Sequence, residues 1–238
     1  PWIRFVMLQS GHGLIAKNYE LVKREYNRSL VRPVWDGEPA YEDMPTAWPP
    51  TGDSLHDTWM VRKRAYWSLL AGSFGHMYGH SSVWCSISEK EQNIISRISW
   101  FQALDSKGSQ QMKYLRDFME ATNIMTCVPC QEMIAQQDGA EEMDRHIQAC
   151  RNPEGKFCCV YFPSGGSAAL YLDRLALNEN KAYLWWWNPR DGKFYEKGPK
   201  HMSVSEGPLK VCAPSEGAQE DWVLLVTSTA TDAPIPER

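Results

Sequence analysis

The sequence predicts an α/β half followed by an all-β half, and three observations carry that reading. Up to about residue 137, short apolar runs alternate with segments of helical periodicity. Each of those runs closes on glycine with polar or aromatic residues, the order strand, helix, strand, helix, strand of a parallel sheet or barrel. From about Asp138 the pattern changes to short apolar or alternating segments between Gly, Pro and Asn, which is the pattern of an antiparallel β-sandwich. The expected domains are therefore 1–137 and 138–238.

Residues 2–8 form an apolar strand that closes on Gln9-Ser10-Gly11-His12-Gly13. A helix is expected over 14–30, with Leu14, Ile15, Tyr19, Leu21, Val22 and Tyr26 on its apolar face. Val34 and Trp35 then make a short buried strand. It stops at Gly37, and Pro39, lacking an N–H, forces the backbone out of the sheet. Glu38 is thereby set at the C-terminal lip of a strand, where parallel α/β sheets and barrels keep their chemistry. Read from spacing alone, Asp36, Glu38 and Glu42 also suit loop carboxylates paired with Arg28 and Arg32. Asp36 shares a strand face with Glu38 but lies deeper, and Glu42 falls in a loop.

Residues 39–56 read as a long, proline-punctuated loop. Asp57 suits the N-cap of a helix over 58–71, ended by Gly72. A glycine-spaced strand over 73–84 follows, presenting His80 and Trp84 at its far end, and a further helix fits 110–121. Three strands are too few to close a barrel. In the second half, strands are expected at 157–162, 168–172, 182–187, 192–196 and 222–226, with a frayed tail at 229–238. Asn188-Pro189-Arg190-Asp191-Gly192 is a turn, proline fixing φ and Asp-Gly supplying positive φ.

A formal charge of −4 and a pI near 5.9 give no electrostatic reason to expect a nucleic-acid partner. No apolar run approaches the ~20 residues of a membrane span. No signal peptide is visible, and the opening Pro1-Trp2 suggests a fragment or a trimmed chain. Seven cysteines exclude complete disulfide pairing within one chain. Cys127-Val128-Pro129-Cys130 has CxxC spacing but follows a helical stretch and has no second pair, so structural thiols are expected. There is no HExxH and the six histidines make no zinc spacing, so neither metal nor cofactor is expected. The eleven tryptophans suit either flat apolar ligands or core. Trp185–Trp187 could form an exposed stripe of a binding module for carbohydrate or protein, or alternate in and out of the sandwich core.

Residues 31–42, Val-Arg-Pro-Val-Trp-Asp-Gly-Glu-Pro-Ala-Tyr-Glu, followed by 64–80 from Arg64-Ala65-Tyr66-Trp67 to Tyr78-Gly79-His80, resemble the C-terminal part of the apiosidase-like glycoside hydrolase family. Gln9-Ser10-Gly11-His12 also matches it. The second half resembles the collagen-binding-type β-sandwich that follows this barrel, through Tyr161-Phe162-Pro163-Ser164-Gly165-Gly166, Trp187-Asn188-Pro189-Arg190-Asp191-Gly192 and Asp221-Trp222-Val223-Leu224. The resemblance implies the last three strands of a (β/α)8 TIM barrel of the retaining, two-carboxylate type. It implies Glu38 as nucleophile, and His12, Tyr41, His80 and Trp84 as substrate-binding residues. The substrate would be an oligo- or polysaccharide, expected to be of plant origin, and the protein secreted or periplasmic. In the family the acid/base comes from the fourth barrel strand. The 238-residue chain is expected to lack it, the missing barrel half being supplied by upstream sequence.

Overall fold

The computed structural model describes residues 2–14, 16–47, 49–50, 53–90, 95, 97–137, 139 and 144–230. Ile15 of the expected first helix and residues 231–238 of the expected tail lie outside them. The chain divides into two compact units, Pro1–Lys113 and Tyr114–Arg238, with the division inside a helix, Lys107–Thr122. Among the described residues no helix is long and apolar enough to cross a membrane.

In the first unit, strands β1 (Val6–Leu8) and β2 (Val34–Asp36) pair in parallel, with Leu8 opposite Asp36. The apolar run beginning at Trp2 thus contributes only its last three residues, because its partner is only three residues long and the ladder starts where Val6 N–H meets the Pro33 carbonyl (2.8 Å). Helix α1 (Asn18–Tyr26) joins them and is shorter than its periodicity suggests. Helix α2 (Thr58–Leu70) starts at the expected cap, the Asp57 side chain accepting from Met60 N–H at 2.8 Å. It is buried nearly all round, which explains its lack of amphipathic periodicity. Lys63 is accommodated by the faces of Trp59 and Trp67, 3.9 and 4.9 Å away.

The strand expected over 73–84 does not form. The segment touches β2 and the following loop through isolated parallel bridges, Asp36 with His76 and Glu42 with His80. Phe74 N–H donates to Val34 O and Met77 N–H to Asp36 O, yet no continuous ladder develops before helix α3 (Ser81–Trp84) begins. Helices α4 (Trp100–Ala103) and α5 (Lys107–Thr122) follow, α4 closed by a capping box between Ser99 and Gln102.

The second unit contains two antiparallel sheets. Its strands are β3 (Val128–Pro129), β4 (Ile134–Gln137), β5 (Gln148–Arg151), β6 (Phe157–Phe162), β7 (Gly165–Leu170), β8 (Lys181–Asn188), β9 (Lys193–Phe194), β10 (Lys200–Ser203), β11 (Leu209–Glu216) and β12 (Trp222–Thr227). One sheet runs β10-β8-β12-β6-β5-β3, with β9 on β8; the other runs β11-β7-β4. Alternate residues from facing strands build the core: Cys158, Val160 and Phe162 with Leu224 and Val226, against Leu170 and Val211. On β8, Ala182 and Leu184 point into this core with Trp186 packed against it, while Trp185 and Trp187 lie on the other face against Phe194, and Phe118 of α5 stacks on Trp187. Trp185 and Trp187 are only 5% and 2% exposed, so no exposed stripe exists there. The turn at 188–192 forms as expected: Gly192 has φ +68°, and a Cβ there would meet the Tyr114 ring at 2.7 Å.

All seven cysteines are free, and the CxxC pair splits. Cys130 enters the sandwich core, its thiol donating to Glu132 at 3.2 Å, whereas the Cys127 thiol lies against Cys150. Burial pushes the Cys158 thiol well up, the opposite of a reactive thiol.

Candidate active site

The parallel register of β1 and β2 makes both strands leave the sheet at one edge, Gln9 next to Gly37 and Glu38. Both Gly37 and Glu38 donate their N–H to the Leu8 carbonyl (2.9 and 3.3 Å), and Gly11 N–H donates back to the Glu38 carbonyl (3.2 Å). Gly37 leaves room for the Met7 side chain, whose Cγ would lie 2.8 Å from a Cβ there and would have to shift. The Glu38 backbone is thereby tied to the tail of β1, and its carboxylate is met by that tail. Gln9 Nε2 donates to Oε2, and His12 Nε2 lies 3.6 Å from Oε1. The Glu38 side chain keeps 32% exposure, enough to meet a ligand.

The loop carrying His12 is gripped from beneath by buried side chains. Arg64 of α2 donates to the carbonyls of Gly11 (3.0 Å) and Gly13 (2.5 Å), and His56 Nε2 donates to the His12 carbonyl (2.6 Å). Burial holds the His12 pKa below its usual value although Glu38 pulls it upward, so the imidazole is neutral at pH 7. Burial lowers His56 to about 4. The Tyr41 ring stands edge-on to His12 at 4.8 Å and is tilted toward Trp84 at 6.5 Å. Burial, then the Glu38 charge, raises the Tyr41 pKa, so its hydroxyl stays a donor. Trp84 is 61% exposed.

The two rival carboxylates are differently placed. Asp36 is fully buried and accepts from Ser10 Oγ and Asn18 Nδ2, both at 2.9 Å; burial raises its pKa. Glu42 is buried and accepts from Thr58 Oγ1 and the Tyr78 hydroxyl, both at 2.5 Å, and from Gly108 N–H. His80 is also buried: its Nδ1 accepts from Ser82 N–H at 3.1 Å as the cap of α3, and its Nε2 lies 3.7 Å from Asp43. Of the residues selected from sequence, the fold brings Glu38, His12 and Tyr41 together with Trp84 beside them, and His80 stands apart in its cap.

A family model described as "Apiosidase-like, catalytic domain" matches residues 1–126. The chain belongs to the apiosidase-like family. A second model, described as "Putative collagen-binding domain of a collagenase", matches residues 128–227. Among solved structures, one titled a glycoside hydrolase is 30% identical, with a TM-score of 0.86, over 98% of this chain and 54% of its own. A glycoside hydrolase family 5 protein from Bacteroides vulgatus is 28% identical, with a TM-score of 0.84, over 98% and 52%. The apiosidase-like chain thus spans about half the length of these structures. A comparison with curated proteins finds no match.

Three residues of this apiosidase-like site escape a reading by pattern: Gln9, Arg64 and His56. Gln9 is the first residue past β1, a position the paired strand ends could have flagged. Arg64 closes the run Arg62-Lys63-Arg64 inside an otherwise apolar helix, a signal of buried, partnered cations. His56, in a proline-rich loop, carries no such signal. Among the described residues no cluster of His, Cys, Asp or Glu could hold a metal ion.

Proposed function

We propose that the part of the chain ahead of Val128, shorter than the expected 1–137, is the last three βα units of a retaining (β/α)8 glycosidase, that Glu38 is its nucleophile, and that the sandwich follows it. The observation that carries this reading is the contrast among the carboxylates: Asp36 and Glu42 are buried and tied to hydrogen-bond donors of the surrounding fold, while Glu38 alone is part-exposed at the joint end of two parallel strands. The parallel bridges at His76 and His80 support a third strand position beside β2. Pairing of β3 and β4 with β5 and β7 supports starting the sandwich domain ahead of Val128.

In this mechanism a Glu38 carboxylate oxygen attacks the anomeric carbon as the glycosidic C–O bond breaks. The leaving oxygen takes a proton from an acid carboxyl about 5–5.5 Å away. Water, deprotonated by that same group, then hydrolyses the glycosyl ester and regenerates Glu38. Gln9 and neutral His12 orient the carboxylate without neutralising it, Tyr41 donates to it or to a sugar hydroxyl, and Trp84 offers an apolar platform under the ring. The acid/base belongs to an earlier barrel strand outside this sequence, so the 238-residue chain alone is inactive. The substrate is a complex, plant-derived polysaccharide.

The experiment compares Glu38→Gln, Asp36→Asn and Glu42→Gln in the full-length parent on such a glycan. Glu38→Gln keeps size but removes the attacking oxygen, so kcat should fall by several orders of magnitude with KM little changed. Near-normal turnover by Glu38→Gln would overturn the assignment.

A further inference from the structure

At one edge of the sandwich, edge strand β10 of the larger sheet and edge strand β11 of the smaller leave a cleft of about 140 Å³. Its lining includes Trp186, Tyr195, Glu196, Lys200, Cys212 and Pro214. Trp186 is half-buried, its ring held edge-on by Phe162 at 5.2 Å. Tyr195 is 59% exposed, yet its ring is not loose: it packs edge-on against Trp222 at 5.4 Å. Trp222 is itself fixed, its Nε1 donating to Ser215 Oγ (2.8 Å), which donates to Glu220 (2.6 Å). Arg190, from the turn at 188–192, pairs with Glu220 and lies over the Trp222 ring at 4.8 Å. An exposed aromatic ring supported by such a chain is pre-organised to take a flat apolar partner at low entropic cost.

We infer that this cleft is a non-catalytic subsite for one neutral sugar ring of a glycan. At about 140 Å³ it is well below the ~300 Å³ of a drug-sized pocket, which suits a single ring. Tyr195 and Trp186 offer π-faces to the C–H face of the sugar. On the rim Glu196 supplies acceptors and Lys200 donors for hydroxyls, and neither has an ion-pair partner among the described residues. Their charges are opposite, so the rim favours a neutral ligand over an anionic one. The choice of a glycan rests on the glycosidase reading; the cleft itself does not.

The test is calorimetric titration of the 238-residue chain with xylohexaose and cellohexaose. Trigalacturonic acid and a triple-helical collagen-model peptide serve as comparators. At least one neutral oligosaccharide should bind saturably and more tightly than the acid. Tyr195→Ala should weaken that binding at least tenfold with an unchanged circular dichroism spectrum, and Tyr195→Phe should retain it. No saturable binding of either neutral sugar overturns the proposal, as does binding of the peptide alone. Binding that survives Tyr195→Ala but is abolished by Trp84→Ala assigns the glycan to the Glu38 edge and also overturns it, leaving the catalytic reading intact. Tyr195-dependent binding in a protein whose Glu38→Gln parent still turns over would sustain the subsite and remove the nucleophile.

Discussion

Within residues 1–113, Glu25, Asp36, Glu42, Arg62, Lys63 and Arg64 are all buried; within residues 114–238, Asp221 is the one buried charged side chain among those described. A charge taken out of water costs several kcal/mol unless hydrogen bonds and partners compensate it. In the α/β unit the compensation is visible, and much of it has a positional consequence. Arg64 holds two carbonyls of the His12 loop, and Glu42 gathers donors from α2, from the segment before α3 and from α5. The sandwich is held by interleaved apolar strands and neutral thiols. Buried charge therefore marks the part of the molecule that must fix side chains at a strand edge, and apolar packing marks the part that must simply persist.

A large effect expected from this contrast is a cavity in the sandwich. Leu224 is fully buried between β6 and β8, so Leu224→Ala should cost about 3 kcal/mol, read as a lower midpoint in urea. A loss below about 1 kcal/mol would mean that apolar packing does not dominate there.

Acid should act on the other unit. Folding lowers the pKa of His56 from 6.5 to about 4 and that of His76 to about 3, burial being the leading cause in each. The unfolded chain then binds protons first. The stability of the neutral imidazoles is full above pH 6.5 and is lost as pH falls toward 4 and 3, on the order of 3 kcal/mol for His56. Asp36, raised above 3.8 by burial, opposes this at the acid end, since its folded carboxyl takes up a proton before the unfolded one. Urea titrations at pH 7 and 4.5 should show a loss that His56→Gln reduces. A pH-independent midpoint would contradict it.

The smallest effect is at the α2 cap. Asp57→Ala removes the acceptor for Met60 N–H and should cost about 1 kcal/mol, measured by the same titration.

What could be read in advance follows the same division. Helix α2 was legible because capping is local chemistry: Asp57, then Gly72 after the end, bracket it within a residue. β6, β8 and β12 were legible because both strand faces are buried apolar runs. β10 and β11 were not, since Lys200–Ser203 is mostly exposed and Leu209–Glu216 contains Pro214 and alternates weakly. β3 and β4, two and four residues long, carry too little pattern, so the sandwich read from sequence starts later than its strand pairing does. At the site, Glu38 and His12 were visible because glycine and proline punctuate strand ends. Arg64 and His56 were not, because their partners are backbone carbonyls dozens of residues away, and hydrogen bonds to backbone leave no trace in residue type.

The central claim is that Glu38, held by Gln9 and His12 at the joint end of β1 and β2, is the attacking carboxylate. The most direct measurement treats the full-length parent with a 2-deoxy-2-fluoroglycoside of its cognate sugar, digests it, and locates the added glycosyl mass. The account predicts a single ester on Glu38, absent in Glu38→Gln. Label on Asp36 or Glu42, or an unlabelled enzyme that still turns over its substrate with inversion at the anomeric carbon, would contradict it.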